Sequence, residues 1–344
     1  MSLKKYIITI PLLIGLVLAW GLFKIFGPAV TVEAPDYLYL PKGTTHTQLL
    51  AAIEQQQVLR SNTWFKWVSN WMEIKNIRPG RYKIRKNMSV FKLVRMIRNG
   101  QQSYVKLSII KERTLQDLAG KIGSRLDMET DSSTLLHFLT NNDSLSNYGM
   151  DSNTVLAMVM PYNYELSWAD EPRKIMDQFH KSWLQFWTDE KKKKAEALQL
   201  SPLEVSILAS IVEEESNDKE DRYNIASTYL NRLQKGMKLQ ADPTVKYVTK
   251  NFKLNRIMHG HLALSSPYNT YQNAGLPPGP ICTPSLESLE AVLDAPATNY
   301  LFFVASWKFD GSTIFTSNYT DHSRYVKLFH EEQKRRAAAK SEMR

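Results

Sequence analysis

Ser201-Pro202-Leu203-Glu204-Val205-Ser206-Ile207-Leu208-Ala209-Ser210-Ile211-Val212-Glu213-Glu214-Glu215-Ser216 carries both a helix start and a candidate chemistry. Serine caps the helix, proline takes the first helical position, where a missing N–H costs nothing, and Glu204 completes a capping box. With Leu208 at zero and about 100° per residue, Ile211 falls at about −60°, Val212 at about +40° and Glu215 at about −20°. Glu215 therefore sits in the apolar stripe, whereas Glu213 and Glu214 fall at roughly +140° and roughly −120°, off that face. A carboxyl group turned into an apolar groove has a raised pKa, because desolvation disfavours the anion, and it can stay protonated as a general acid. Breaking a glycosidic bond needs such a group facing the leaving oxygen. The same residues admit a second reading: the helix has ended by Glu215, and three solvated glutamates close it against its own dipole. The helix alone leaves both open.

Upstream, Pro172 to Lys194 reads as a helix with Ile175, Phe179, Trp183 and Phe186 at helical spacing, an aromatic stripe that belongs in a core. Lys191 to Lys194 is the densest basic run and reads as a solvated helix face. No aromatic residues interleave it as single-strand binding would require, so nucleic acid is not the expected partner. Nearer the start, Leu38 to Lys42 leads through Thr45 to Leu49 and Ile53, and Leu107 to Lys111 leads through Thr114 to Leu118 and Ile122. A partial third copy runs from Ser89 to Leu93 and Ile97, after a strand expected at Arg81 to Ile84. Each copy places a capping hydroxyl before apolar residues at i+4 and i+8. Strand, capped helix, helix, strand is the order of small wall-binding modules of the LysM type, though strand-then-helix units also recur in α/β domains generally.

The first informative segment is Tyr6 to Phe23, eighteen residues without a charge, extended past Lys24 by Ile25 and Phe26. That roughly matches the ~20 residues that cross a bilayer as a helix. Lys4 and Lys5 precede it, which puts the N-terminus in the cytoplasm and the rest outside. No small-residue cleavage site follows in Gly27-Pro28-Ala29-Val30, so an uncleaved anchor is expected rather than a signal peptide. The 344 residues are 43% hydrophobic and 23% charged, which excludes a disordered chain, and the net charge of +10 suits an anionic partner. Cys282 is the single cysteine and cannot form an internal disulfide; no metal-type spacing surrounds it, and neither a metal nor a cofactor is expected.

Downstream of the glutamates come Asn231-Arg232-Leu233, Gly236-Met237-Lys238-Leu239-Gln240 and Asp242-Pro243-Thr244-Val245. Ser266-Pro267-Tyr268-Asn269-Thr270-Tyr271 and Gly275-Leu276-Pro277-Pro278-Gly279-Pro280-Ile281 follow, then Tyr300 to Ala305, Asp310-Gly311, and His322 seven residues after Phe315. With Ile207 to Ser216, this ordered set resembles the MltG (YceG-like) endolytic murein transglycosylases over nearly the whole chain. In that family the essential glutamate directly precedes Ser or Thr at the helix end, which falls on Glu215 before Ser216. Ala241 departs from the usual Thr or Ser, and Thr313 from a common His. The second departure argues against a catalytic role at 313; neither touches Glu215.

The resemblance implies a carbon–oxygen lyase that needs one carboxyl group. Glu215 would protonate the oxygen between N-acetylmuramic acid and N-acetylglucosamine, then take the proton of the 6-hydroxyl as it closes on C1. Candidate substrate-binding residues are Gln240, Asp242, Tyr268, Asn269, Thr270 and Tyr271. Asp242, in a turn expected after a short strand, could orient a sugar hydroxyl or cap the next segment. The Tyr268 to Tyr271 segment offers amide, hydroxyl and aromatic groups to an N-acetyl sugar, or else forms a buried turn with its polar groups satisfied. Gly275 to Pro280 is too stiff for a helix or strand and is expected to wall the groove. The strands around Asp310-Gly311 read as a hairpin that serves as scaffold. A muramidase-type hydrolase, with Asp242 as second carboxylate, and a non-catalytic wall-binding scaffold are the alternatives.

The expected fold class is α+β: a cytoplasmic tail at 1–5, a transmembrane helix at 6–27, LysM-like α/β modules over 37–125, and a mixed α+β catalytic domain over 126–335. The expected partners are peptidoglycan glycan strands, the membrane through the N-terminal helix, and cell-wall synthases. The expected location is the cytoplasmic (inner) membrane, single-pass, with the catalytic domain on the periplasmic side. A reporter fused after Arg344 should be active only outside the cytoplasm, and the protein should stay in the membrane at full length. A mature species lacking Tyr6 to Phe23 would refute the anchor.

Overall fold

A computed structural model of the chain describes residues 3–254 and 256–342, with side chains for 10–254 and 256–339. The expected tail at 1–5 thus lies partly outside the described residues. The chain forms two compact units, one of Met1–Leu107, Ile122–Asp131 and Glu165–Ile175, the other of Ser108–Lys121, Ser132–Tyr164 and Met176–Arg344. Helices dominate, and among the described residues three two-stranded sheets complete a mixed α+β fold, as the residue pattern indicates.

The first unit opens with helix α1, Leu3–Phe26, whose side chains from Ile10 on are largely exposed. Among the described residues no single helix is long and apolar enough to cross a membrane, because the described apolar stretch, Ile10–Phe26, is short. Strand β1 (Tyr37–Leu40), helix α2 (His46–Gln55), helix α3 (Asn62–Trp71), strand β2 (Gly80–Lys83) and helix α4 (Val90–Arg98) follow. β1 and β2 pair antiparallel, with Leu38 opposite Tyr82 and Leu40 opposite Gly80. Alternation turns Leu38 and Leu40 inward, where they meet Leu49 and Ile53 of α2, Phe65 and Val68 of α3, and Leu93 and Ile97 of α4 in one core. The capping hydroxyls act as their spacing indicates: Thr45 accepts from the Gln48 N–H within a full capping box, Ser89 from Lys92 and Thr114 from Asp117.

In the second unit the buried element is the helix Pro202–Glu215, with the Ser201/Glu204 capping box formed and every residue from Val205 to Glu213 out of water. A helix apolar all round belongs inside a fold rather than on its surface. Helices Lys219–Gln234, Asp242–Thr249 and Leu286–Leu293 pack around it. The aromatic stripe Ile175, Phe179, Trp183 and Phe186 is buried. The single helix expected from Pro172 to Lys194 is instead two, Pro172–Phe186 and Asp189–Ala197, because Thr188 turns extended and caps the second. In the lysine run, Lys194 pairs with Asp294 at 2.7 Å.

The glycine–proline stretch forms no helix or strand, and it leads Ile281 and Cys282 onto the central helix: the Ile281 N–H donates to Ser210 Oγ at 3.0 Å. Cys282 is fully buried, and burial raises its thiol well above the ordinary value. Gly279 passes the backbone of Asn153 so closely that a Cβ would lie 2.0 Å from that carbonyl oxygen. Gly279→Ala is therefore expected to cost about 1–3 kcal/mol, the usual penalty for overpacking, seen as a lower denaturant midpoint; an unchanged midpoint would show that the contact yields.

Candidate active site

Three consecutive glutamates end the central helix in three different environments. Glu213 is buried and accepts hydrogen bonds from the hydroxyls of Ser285 and Ser288, with Lys111 Nζ at 2.9 Å and Arg222 at 3.6 Å. Burial alone would raise its pKa, but these donors outweigh it and hold the group below the ordinary value. Glu214 receives Arg113 through two nitrogens, at 3.1 and 2.9 Å, and Lys111 at 3.3 Å. Neither is a solvated helix end; both pin the 111–113 segment to the helix.

Glu215 is different. It is the last helical residue before Ser216 turns extended. Among the described residues no cation pairs with its carboxyl; the Tyr229 hydroxyl, from the helix Lys219–Gln234, donates to Oε1. Part of the residue reaches the surface of a cleft, but protein surrounds the carboxyl group, and burial pushes it up to about 7. The Tyr229 hydrogen bond works against that rise, the charge of Asp242 adds to it, and the charges of Lys246 and Arg232 oppose it. Glu215 can thus hold a proton near neutral pH, whereas the donors around Glu213 hold that group ionised.

The cleft holds about 300 Å³ and is lined by Glu215, Tyr229 and Arg232 from the two helices, by Gln240 and Asp242, by Tyr271, and by Phe302, Phe303, Tyr319 and His322. Arg232, one turn after Tyr229, is buried without a carboxylate partner; it donates to the carbonyls of Leu301 (2.6 Å) and Leu239 (2.7 Å) and lies over the Phe302 ring. It therefore holds two walls of the cleft together. Burial lowers its pKa, yet guanidinium keeps its charge in proteins. His322 stacks on Phe302 at 5.2 Å, and its Nδ1 is buried without a hydrogen-bond partner. Burial first, and then Arg232, lowers the pKa of its ring.

The candidate residues separate by place. Gln240, Asp242 and Tyr271 join Glu215 in the cleft. No strand precedes Gln240; it adopts a left-handed backbone, φ 52°, and its N–H donates to the Thr270 carbonyl. Asp242 begins the helix Asp242–Thr249 but does not cap it: Ala241 is the cap, without a side-chain bond, and Asp242 instead accepts from the Tyr271 hydroxyl at 2.6 Å. Thr270 binds the start of this helix from outside, its hydroxyl accepting the N–H of the cap residue Ala241 at 3.0 Å. Asn269 is fully buried, its amide donating to the carbonyls of Leu262 and Leu264, and Thr270 is 1% exposed; both shape the loop instead of facing the cleft. Tyr268 lines a different hollow, against Tyr247, with Asn153 and Lys250.

Phe302–Ala305 and Thr313–Thr316 pair antiparallel as a hairpin, with Phe302 opposite Thr316, and Asp310 accepts from the Ser312 N–H and hydroxyl at its turn. It is more than scaffold, since Phe302 and Phe303 enter the cleft. Thr313 donates to Asp221 at 2.6 Å, away from Glu215.

A model of the YceG-like family matches residues 38–328. The chain belongs to the YceG-like family. Among its relatives is a protein of Bacillus subtilis named endolytic murein transglycosylase, 27% identical over 302 residues, an alignment covering 83% of this chain and 82% of the relative. A Streptococcus pneumoniae protein of the same name is 24% identical over an alignment of 367 residues, which covers 94% of this chain and 65% of the relative. A crystal structure of a YceG-like protein from Listeria monocytogenes superposes with a TM-score of 0.55 at 24% identity, covering 84% of this chain and 97% of that one, and agrees in fold. The resemblance drawn from the motifs is borne out at the level of the family. Within this YceG-like chain, Tyr229 and Arg232 are site residues that the motif spacing did not single out. Arg232 stands inside Asn231-Arg232-Leu233, and its i+3 relation to Tyr229 was the available signal.

Removing the Tyr229 hydroxyl takes away a bond that lowers the Glu215 pKa. Tyr229→Phe should therefore move the alkaline limb of the pH–activity profile to higher pH. A limb that stays put, or moves down, would show that the bond does not tune Glu215.

Proposed function

We propose that this chain is an endolytic murein transglycosylase, cleaving the glycosidic bond between N-acetylmuramic acid and N-acetylglucosamine in peptidoglycan, with Glu215 as its acid/base. The supporting observation is one carboxyl group, unpaired with any cation and pushed up to about 7, in a cleft whose other carboxylate helps keep it protonated. Protonated Glu215 gives its proton to the glycosidic oxygen as the bond to C1 breaks. As carboxylate it then takes the proton of the muramic acid 6-hydroxyl, whose oxygen closes on C1. The proton lost by the acid is regained, no water is consumed, and a 1,6-anhydro end results. Aromatic walls from Phe302, Phe303 and Tyr271 suit sugar faces, and Gln240 offers amide donors and an acceptor beside them. Asp242, held by Tyr271, is placed to orient a sugar hydroxyl and to raise Glu215 by its charge.

In the same reading α1 is a single-pass anchor in the cytoplasmic membrane, with the catalytic unit on the outer side. The 37–125 region, LysM-like in its strand–helix–helix–strand order, engages the wall, and cell-wall synthases are the candidate partners. Because the acid form must be present for the first proton transfer, kcat/KM should fall as pH rises through about 7.

Glu215→Gln keeps the shape but cannot exchange the proton. Loss of general acid/base catalysis typically costs about 10²–10⁴-fold, so 1,6-anhydro ends from purified peptidoglycan, identified by mass, should drop by at least that much while folding is retained. An active Glu215→Gln enzyme would remove Glu215 from the mechanism. Reducing ends in place of 1,6-anhydro ends would make the enzyme a hydrolase, with Asp242 activating water.

A further inference from the structure

Of the eight tryptophans, four form a continuous row in the first unit that the reaction does not use. Trp20 of α1 meets Trp64 of α3 edge-on at 5.6 Å, Trp64 meets Trp67 at 6.4 Å, and Trp67 stacks on Trp71 at 6.2 Å and 13°. Positions 64, 67 and 71 are spaced i, i+3, i+7 and so share one face of α3, while Phe65 and Val68 on the adjoining face fill the core and Trp64 packs against it. Trp67 and Trp71 are 55% and 66% exposed. Large adjoining indoles left in water mark a surface that something else covers.

What lies beside them identifies the cover. The row starts on α1, whose Leu12, Leu13, Leu16, Val17 and Phe23 are exposed along the same helix, so the indoles continue an apolar surface already present. A hollow of about 600 Å³ at the junction is lined by Trp20, Trp64, Lys24 and Arg60 and by no acidic residue. Lys24 sits over the Trp20 ring, Lys66 is exposed on α3, and α3 contains no Asp or Glu. Indole rings with interleaved cations, next to an apolar helix end, are the composition of a protein surface at lipid headgroup level.

We propose that α3 is an interfacial helix whose Trp64–Trp67–Trp71 face lies in the headgroup layer of an anionic bilayer, beside the end of α1. This rests on the reading of α1 as a membrane anchor and adds a second, in-plane attachment. Ten residues of helix span roughly 15 Å of membrane surface, which fixes the orientation of the first unit instead of leaving it tethered at one point.

The test uses the full chain in vesicles containing phosphatidylglycerol, with ordinary acyl chains or with chains brominated near the headgroup, where bromine quenches nearby indoles. Wild type should lose emission in brominated vesicles. In W67F/W71F the lipid-quenchable part should fall by about half, since two of the four indoles in the row are gone and Trp20 and Trp64 remain. An alkaline wash, which strips peripheral proteins, reports the anchor separately. If W67F/W71F leaves the quenchable part unchanged while the chain resists the wash, the anchor stands and the docking of α3 is overturned. Unchanged quenching with lost sedimentation on isolated peptidoglycan would overturn it in favour of a glycan partner. A wild-type chain extracted by the wash would overturn the anchor, and the docking with it.

Discussion

Taking one carboxyl group out of water, at the end of a helix that is itself buried, is the constraint on which the second unit depends. Such a group is costly as an anion, so the site must keep it protonated or surround it with partners. Here the two preceding glutamates are fully partnered and Glu215 is not: Lys111, Arg113, Ser285 and Ser288 all engage Glu213 or Glu214. Ion pairs lock the helix end to the 111–113 segment and serine hydroxyl bonds lock it to 285–288, so the third carboxyl is presented from a rigid frame. Rigidity matters because a proton must pass to an oxygen within hydrogen-bond reach.

The cleft around that carboxyl is held by buried polar groups. Arg232 ties Leu301 to Leu239, Asn269 ties its loop to Leu262 and Leu264, and the Thr270 hydroxyl holds the N–H of Ala241. Buried groups of this kind are tolerated only when every strong donor finds an acceptor. Their satisfaction accounts for the burial of Asn269 and Thr270, in keeping with the buried-turn reading that the sequence left open beside the sugar-binding one.

What was legible in the sequence is what neighbours along the chain decide. Caps at Ser201, Thr45, Ser89 and Thr114 depend on residues three positions away, and all four formed. The exclusion of Glu215 from water followed from helical angle together with the apolar character of its stripe. The stripe proved less distinctive than its angles imply, because the whole helix is buried. Tyr229 was not legible as the partner of Glu215, because a loop and nearly three helical turns separate them and only packing brings them together. Asn269 was open for the same reason: nothing local says whether an amide faces a ligand or two carbonyls. The break at Thr188 was local but ambiguous, since a threonine is tolerated within a helix and favoured at its start.

The path of the chain through its two compact units has a consequence in time. The first unit is not finished when Leu107 has been made; it also needs Ile122–Asp131 and Glu165–Ile175. A chain delivered N-terminus first would hold an incomplete unit while the intervening segments of the other emerge. Neither unit can be cut out at a single peptide bond, and neither can mature wholly before the other has begun. Non-local assembly of this kind is slower than folding from local contacts, so the first unit is expected to close only once Ile175 has emerged, not as its N-terminal helices are delivered.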